Sequence, residues 1–167
     1  DTVLIQPVAS RFEQPMRGVD FQSLITCLRR AHEQGQLIHR DVRPENVLQY
    51  DGGILLIDWS LAVPSGSSSP PPGTKRYASD RVLNAFKSGS DLKADPRDDL
   101  ASVVRMAHAQ IKWLGPQLET MGAAPPASLL EFWSEQLKQA AFLKPLYERA
   151  QNLDYDMLLK ELPVFLP

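Results

Sequence analysis

Between His39 and Ser60, the oxygen-bearing side chains Asp41, Asn46 and Asp58 fall in or beside loops that flank two short apolar stretches. Those stretches, 47–50 and 54–57, are joined by Asp51-Gly52-Gly53, a tight hairpin signal. A hairpin brings its two ends together, so Asn46, just before the first strand, should lie close to Asp58, just after the second. An amide oxygen and a carboxylate held this way suit a hard divalent cation such as Mg²⁺. Asp41 then stands a few residues away as a proton acceptor, with Arg43 beside it as a fixed positive charge. A base, a cation clamp and a positive side chain are the parts that phosphoryl transfer needs. Taken singly, each residue also fits an ordinary loop in which Asp and Asn close local turns. The chemistry rests on the joint arrangement.

Several elements must hold these residues. Asp20 sits where an N-cap belongs, and Phe21, Leu24, Ile25, Leu28 and Ala31 follow at helical spacing, with Gly35 as the stop. Pro44 forbids a regular helix through 39–46, which reads as a structured loop. The segment 64–73 holds four prolines and four serines and is expected to be exposed and mobile. Leu100, Val103, Val104, Ala107 and Ile111 mark a further helix that Gly115-Pro116 should end. Pro125-Pro126 opens another, and the C-terminal leucines suggest two short ones. The expected fold class is mainly α, with five to six helices and one small β-hairpin.

Composition narrows the function. The 167 residues amount to one domain or part of one. With 18 basic and 20 acidic residues there is no global positive field for nucleic acid. No apolar run approaches the roughly 20 residues that span a bilayer, so no membrane role is expected. The single cysteine, Cys27, cannot form an internal disulfide or a cysteine-built zinc site and reads as a small core residue. His32 and His108 read as ordinary helix residues.

The stretch Leu37-Ile38-His39-Arg40-Asp41-Val42-Arg43-Pro44-Glu45-Asn46-Val47-Leu48 resembles the catalytic loop of eukaryotic protein kinases, H-R-D-L-x-x-x-x-N. Asp58-Trp59-Ser60 sits where that family has D-F-G, and Gly73-Thr74-Lys75-Arg76-Tyr77-Ala78-Ser79-Asp80 resembles the end of its activation segment. Asp98-Asp99-Leu100-Ala101-Ser102 and Asp154-Tyr155-Asp156-Met157-Leu158 resemble the D-D-L-E-S and D-Y-x-x-L of casein-kinase-1-like members. The resemblance implies a kinase C-lobe over 1–167: a hinge strand at 1–9, the catalytic loop at 37–48, the activation segment at 58–80 and a central helix at 98–114.

Carried over by position, Asp41 would accept the substrate hydroxyl proton, and Asn46 and Asp58 would hold Mg²⁺ on the phosphates of ATP. Arg43 stands where serine/threonine kinases usually have Lys, keeping the charge but as a planar fork. Arg40 would bind a phosphate on Thr74, or on Ser65, Ser67, Ser68 or Ser69. Asp99 would hydrogen-bond the backbone of His39 and Arg40, while His39 and Trp59 would stack in the hydrophobic spine. Backbone near Gln6 to Val8 would face adenine, with Leu48 as the floor beneath the base.

Departures point the other way. Nothing resembles the Gly-rich loop or the V-A-I-K lysine of the N-lobe, which is expected to be absent. Ser60 replaces a glycine, and Ser79-Asp80 replaces Pro-Glu, so the ion pair anchoring that segment should be shortened or lost. The chain alone is then expected to be a weak or inactive kinase. Two readings stand: a serine/threonine kinase lobe completed by an N-lobe, or a non-catalytic lobe that docks proteins, with self-association through the face an N-lobe would cover. The V-R-P-x-N loop also resembles the kinase-like domains of Crinkler effectors, which implies secretion into a host cell. Otherwise the resemblance implies an intracellular place, in cytoplasm or nucleus, with a protein substrate or docking partner.

Overall fold

Twelve consecutive residues of one helix, Asp98 to Ala109, are buried, and the other described elements are arranged around them. This helix, α3, lies within a computed structural model that describes residues 9–166, so Gln6, Val8 and nearly all of the expected hinge strand fall outside the described residues. The described elements, in order, are α1 (Gly18–Glu33), β1 (Leu37–Ile38), β2 (Val47–Tyr50), β3 (Gly53–Leu56), β4 (Val63–Pro64), β5 (Ser68–Ser69), α2 (Asp80–Ser88), β6 (Leu92–Lys93), α3 (Pro96–Ile111), α4 (Gly115–Thr120), α5 (Pro126–Gln139), α6 (Lys144–Gln151) and α7 (Tyr155–Glu161). The fold is mainly α with small antiparallel sheets, as the apolar periodicity predicts.

The helices exceed the expected five to six because Gly115-Pro116 begins α4 instead of merely ending its predecessor. α3 has already stopped at Ile111, where Trp113 takes a left-handed φ of 55°. Leu114 N–H reaches back to Ala109 O at 2.8 Å, the closing bond of a Schellman motif in a position usually given to glycine. Asp20 is likewise not the N-cap of α1. It is the third helical residue, and its carboxylate accepts from the Arg17 N–H at 2.8 Å.

β2 and β3 form the expected hairpin, with Val47 opposite Leu56. Its turn residues Asp51 and Gly52 both have positive φ, 45° and 74°, which fits the twist of a two-residue turn. Two further strand pairs, β1 with β4 and β5 with β6, are invisible to periodicity because each strand has only two residues. They correct the expectation of a loose 64–73 segment. Ser65 N–H donates to Gln36 O, Gly66 N–H to Ala94 O, and Ala94 N–H to Ser67 O, so the segment is pinned by backbone bonds from both sides.

α1, α2, α5, α6 and α7 build the core with α3, and Leu24, Leu28, Leu83, Leu100, Leu129 and Leu158 are almost wholly buried. Cys27 is half-buried against this core, as expected. Among the described residues no helix is long and apolar enough to cross a membrane.

α3 also carries polar groups into the interior: Asp98, Asp99, Ser102, Arg105 and His108. From Asp99 onward they recur every third residue, a stripe that winds round the helix. His108 Nδ1 meets the Tyr147 hydroxyl at 2.9 Å, and burial pushes its pKa down to about 4. The neutral ring is therefore the form the fold accepts. The unfolded chain takes up this proton below about pH 6.5 and the folded one only near pH 4, so stability should fall across that window as pH drops. Urea unfolding at pH 7 and pH 4.5 should show a loss of up to about 3 kcal/mol that His108→Gln removes; an unchanged pH slope in the variant would contradict this.

Candidate functional site

The loop after β1 places its residues by bending sharply at Arg40, whose φ is 73°. A left-handed arginine costs on the order of 1 kcal/mol or more and needs neighbours that fix it. Asp99 supplies them: its Oδ2 accepts from the His39 N–H and its Oδ1 from the Arg40 N–H, both at 2.8 Å. His39 is fully buried, with Nε2 3.0 Å from Ile57 O, its Nδ1 3.3 Å from the Asp41 N–H, and its ring edge-on to Trp59 at 4.6 Å. The loop is thus fastened to α3 on one side and to the end of the hairpin on the other.

Asp41 is buried at 7% exposure and its carboxylate is surrounded by donors. Oδ2 accepts from Asn46 Nδ2 at 3.0 Å and from Arg43 Nε at 3.1 Å; Oδ1 accepts from the Thr74 N–H at 3.1 Å. Asn46 Nδ2 also donates to Asp41 O at 2.8 Å, which turns the Asn46 carbonyl oxygen away from Asp41. Gly73, at φ 73°, lies so close that a Cβ there would sit 2.9 Å from Asp41 Oδ1. Glycine is required at this position by both conformation and space.

Ile57 N–H donates to Asn46 O at 2.9 Å, extending the hairpin register by one step and setting Asp58 next to Asn46. Asp58 is exposed and left-handed at φ 59°, and the Ser60 hydroxyl donates to its Oδ1 at 2.6 Å. That bond holds the Asp58 carboxyl below the usual carboxylate range, with a smaller contribution from His39 and Arg43. An amide oxygen and a carboxylate suit a hard cation, and two protein oxygens fit Mg²⁺, which takes its remaining ligands from phosphate and water. Among the described residues no group of three or more His, Cys, Asp or Glu could hold a metal ion unaided.

Arg40 donates to Pro70 O at 2.8 Å, and burial lowers its pKa while Asp99 and Asp98 oppose that. Thr74 lines the same small cavity of about 20 Å³ as Arg40, yet its backbone rests on Asp41. Ser68 and Ser69 are taken up by pairing with Lys93 and Leu92, and the Ser69 hydroxyl is buried with no partner among the described residues. Leu48 is half-buried in β2 opposite Leu55. Beside it, Ser10 and Gln49 exchange backbone hydrogen bonds of 3.1 and 2.8 Å, so the chain leading out of 1–9 runs along this edge of the hairpin.

Several residues have larger parts than the sequence indicates. The ion pair expected to be shortened or lost at Ser79-Asp80 is not lost but is made by the shorter Asp80 carboxylate: the buried Arg105 donates to Asp80 Oδ1 and to Ala78 O and stacks over Trp133 at 4.8 Å. Asp80 thus reaches the arginine from a position one residue after the serine that caps α2. That Ser79 hydroxyl also donates to Asp98 Oδ1 at 2.6 Å. Burial raises the Asp98 pKa, and Arg81 and Ser79 counter it. His32, read as an ordinary helix residue, lies 2.9 Å from Asp99 and 2.7 Å from the Tyr155 hydroxyl.

No family model matches the chain. It is 25% identical over 152 residues to a probable serine/threonine-protein kinase of Dictyostelium discoideum, an alignment covering 86% of this chain and 24% of that protein. It is 28% identical over 132 residues to a dual specificity mitogen-activated protein kinase kinase of Caenorhabditis elegans, covering 73% of this chain and 39% of the relative. The chain therefore spans between about a quarter and two fifths of the curated relatives it matches. These distant similarities support a kinase-like relationship.

The Ser60 bond yields a direct test. It favours the ionised Asp58, so its contribution is present above the ordinary carboxylate pKa and lost as pH falls through Asp58's own lower value. Ser60→Ala should move the Asp58 pKa upward in a carboxyl-carbon NMR titration; an unmoved pKa would show that the hydroxyl does not govern this carboxylate.

Proposed function

We propose that this chain is the C-lobe-like part of a serine/threonine protein kinase, transferring the terminal phosphoryl group of Mg-ATP to a protein hydroxyl once an N-lobe completes the site. The observation that carries this reading is Asn46. Both of its amide hydrogens engage Asp41, and its backbone carbonyl fixes the strand that delivers Asp58. One residue thereby couples a carboxylate suited to accept a proton to a pair of oxygens suited to a cation. Arg43, against Asp41, supplies positive charge for a transferring phosphoryl group. When bound, Mg²⁺ would neutralise phosphate charge; Asn46 and Asp58 would hold it and Asp41 would orient the acceptor hydroxyl. Leu48 would lie under the base, and Arg40 would take a phosphate on Thr74 or a neighbouring serine in exchange for Pro70 O.

A second reading, a non-catalytic lobe that docks proteins, is favoured by a different observation. Trp113 is 79% exposed in a backbone conformation that disfavours bulky residues. It rims an apolar groove of about 320 Å³ shared with Phe12, Met16, Pro44, Tyr77 and Pro116. The V-R-P-x-N loop keeps the narrower effector reading, with host proteins as partners, attached to either function.

Thermal unfolding with Mg²⁺ and ATP, in the parent and in Asp58→Ala, separates the two. A catalytic-type site gives a rise of a few degrees at nucleotide about tenfold above its dissociation constant, abolished in the variant. No shift at millimolar nucleotide would leave the docking reading.

A further inference from the structure

The loop that carries Asp41 is held by Asp99, and Asp99 is itself held from behind. Its Oδ2 takes two contacts: the His39 N–H at 2.8 Å and His32 Nε2 at 2.9 Å. A carboxylate oxygen only accepts, so His32 must carry a hydrogen on Nε2. With the ring neutral, Nδ1 is then an acceptor, and among the described residues the group against it is the Tyr155 hydroxyl, at 2.7 Å. Burial raises the Tyr155 pKa to about 12, so that hydroxyl keeps its proton at any physiological pH and has one to donate. The chain of bonds runs Tyr155 O–H to His32, His32 N–H to Asp99, and Asp99 to the two backbone amides at the strained turn. Every side chain in it is buried: Tyr155 is 7% exposed, His32 4% and Asp99 1%.

The three side chains come from three helices. Tyr155 is the first residue of α7, His32 lies in the last turn of α1 and Asp99 in the first turn of α3. Asp154 caps α7 through Met157 N–H at 3.2 Å, which fixes the turn from which Tyr155 projects. Arg29 covers the outer face of the phenol at 5.5 Å. Nothing in this arrangement touches the candidate cation oxygens or the Asp41 carboxylate. A buried tyrosine of this size could have been a phenylalanine; among the described residues its hydroxyl has a single partner, and that partner is the ring that steadies Asp99.

We propose that Tyr155 is a positioning residue for the Asp41 loop, acting through the His32 tautomer and Asp99. This goes beyond the phosphoryl-transfer reading and stands independently of it, because it concerns where the loop is held and not what Asp41 does.

The test begins with the parent chain and needs no variant. ¹⁵N NMR of the His32 ring should report a protonated Nε2 and an unprotonated, hydrogen-bonded Nδ1; a protonated Nδ1 would overturn the proposal. Tyr155→Phe then deletes the donor alone. Amide exchange at His39 and Arg40 should quicken by tenfold or more, while amides of the β2–β3 hairpin and of α5 keep their parent rates. Unchanged rates at His39 and Arg40, or an equal rise everywhere, would mean that the hydroxyl only contributes to general stability and would overturn it as well. If Tyr155→Phe does not fold, the parent tautomer still decides.

Discussion

The structure depends on one buried carboxylate. Asp99 has two oxygens and three polar contacts: two backbone amides of the strained turn at 39–40 and the His32 ring, which is held in turn by a tyrosine from the far end of the chain. A charge at 1% exposure is tolerated only when donors surround it. The same donors are those the loop would otherwise leave unpaired, since a left-handed Arg40 turns its N–H away from any regular ladder. The cost of burying the charge and the cost of bending the backbone therefore offset each other at a single site.

The rest of the polar stripe on α3 extends the same device. Asp98 engages Ser79 and Arg81, and Arg105 engages Ala78 and Asp80, so the segment between Asp58 and α2 is tied down at its far end. Its near end is tied by Asp58 and Trp59 to the hairpin and to His39, and its middle by β4 and β5. Gly73 and Thr74 consequently rest directly on Asp41. The helical core thus sets the position of every group that bears on the candidate chemistry, although none of the core's apolar residues takes part.

What was legible in the sequence follows from distance along the chain. Asn46 and Asp58 could be placed at one end of the hairpin because a two-residue turn and a strict register connect them, and those are local properties. The mainly α character was readable from apolar periodicity for the same reason. His32 with Tyr155, 123 residues apart, and Arg105 with Asp80, 25 apart, depend on how helices pack, which no local pattern encodes. A polar residue on a buried helix looks, in sequence, like one on a solvated face. The two-residue strands fell below any period, and Trp113 occupied a helix end where glycine is the usual signal. The D-Y-x-x-L pattern did single out Tyr155, but only as a resemblance with no task attached.

The most direct test of Asp99 as the pivot is the unfolding free energy of Asp99→Asn. The amide keeps the shape but turns an acceptor into a donor facing N–H groups that have no alternative. A loss of about 3–5 kcal/mol is expected, the range for breaking a buried charged network on one side. A loss below about 1 kcal/mol, the size of a surface substitution, would contradict it.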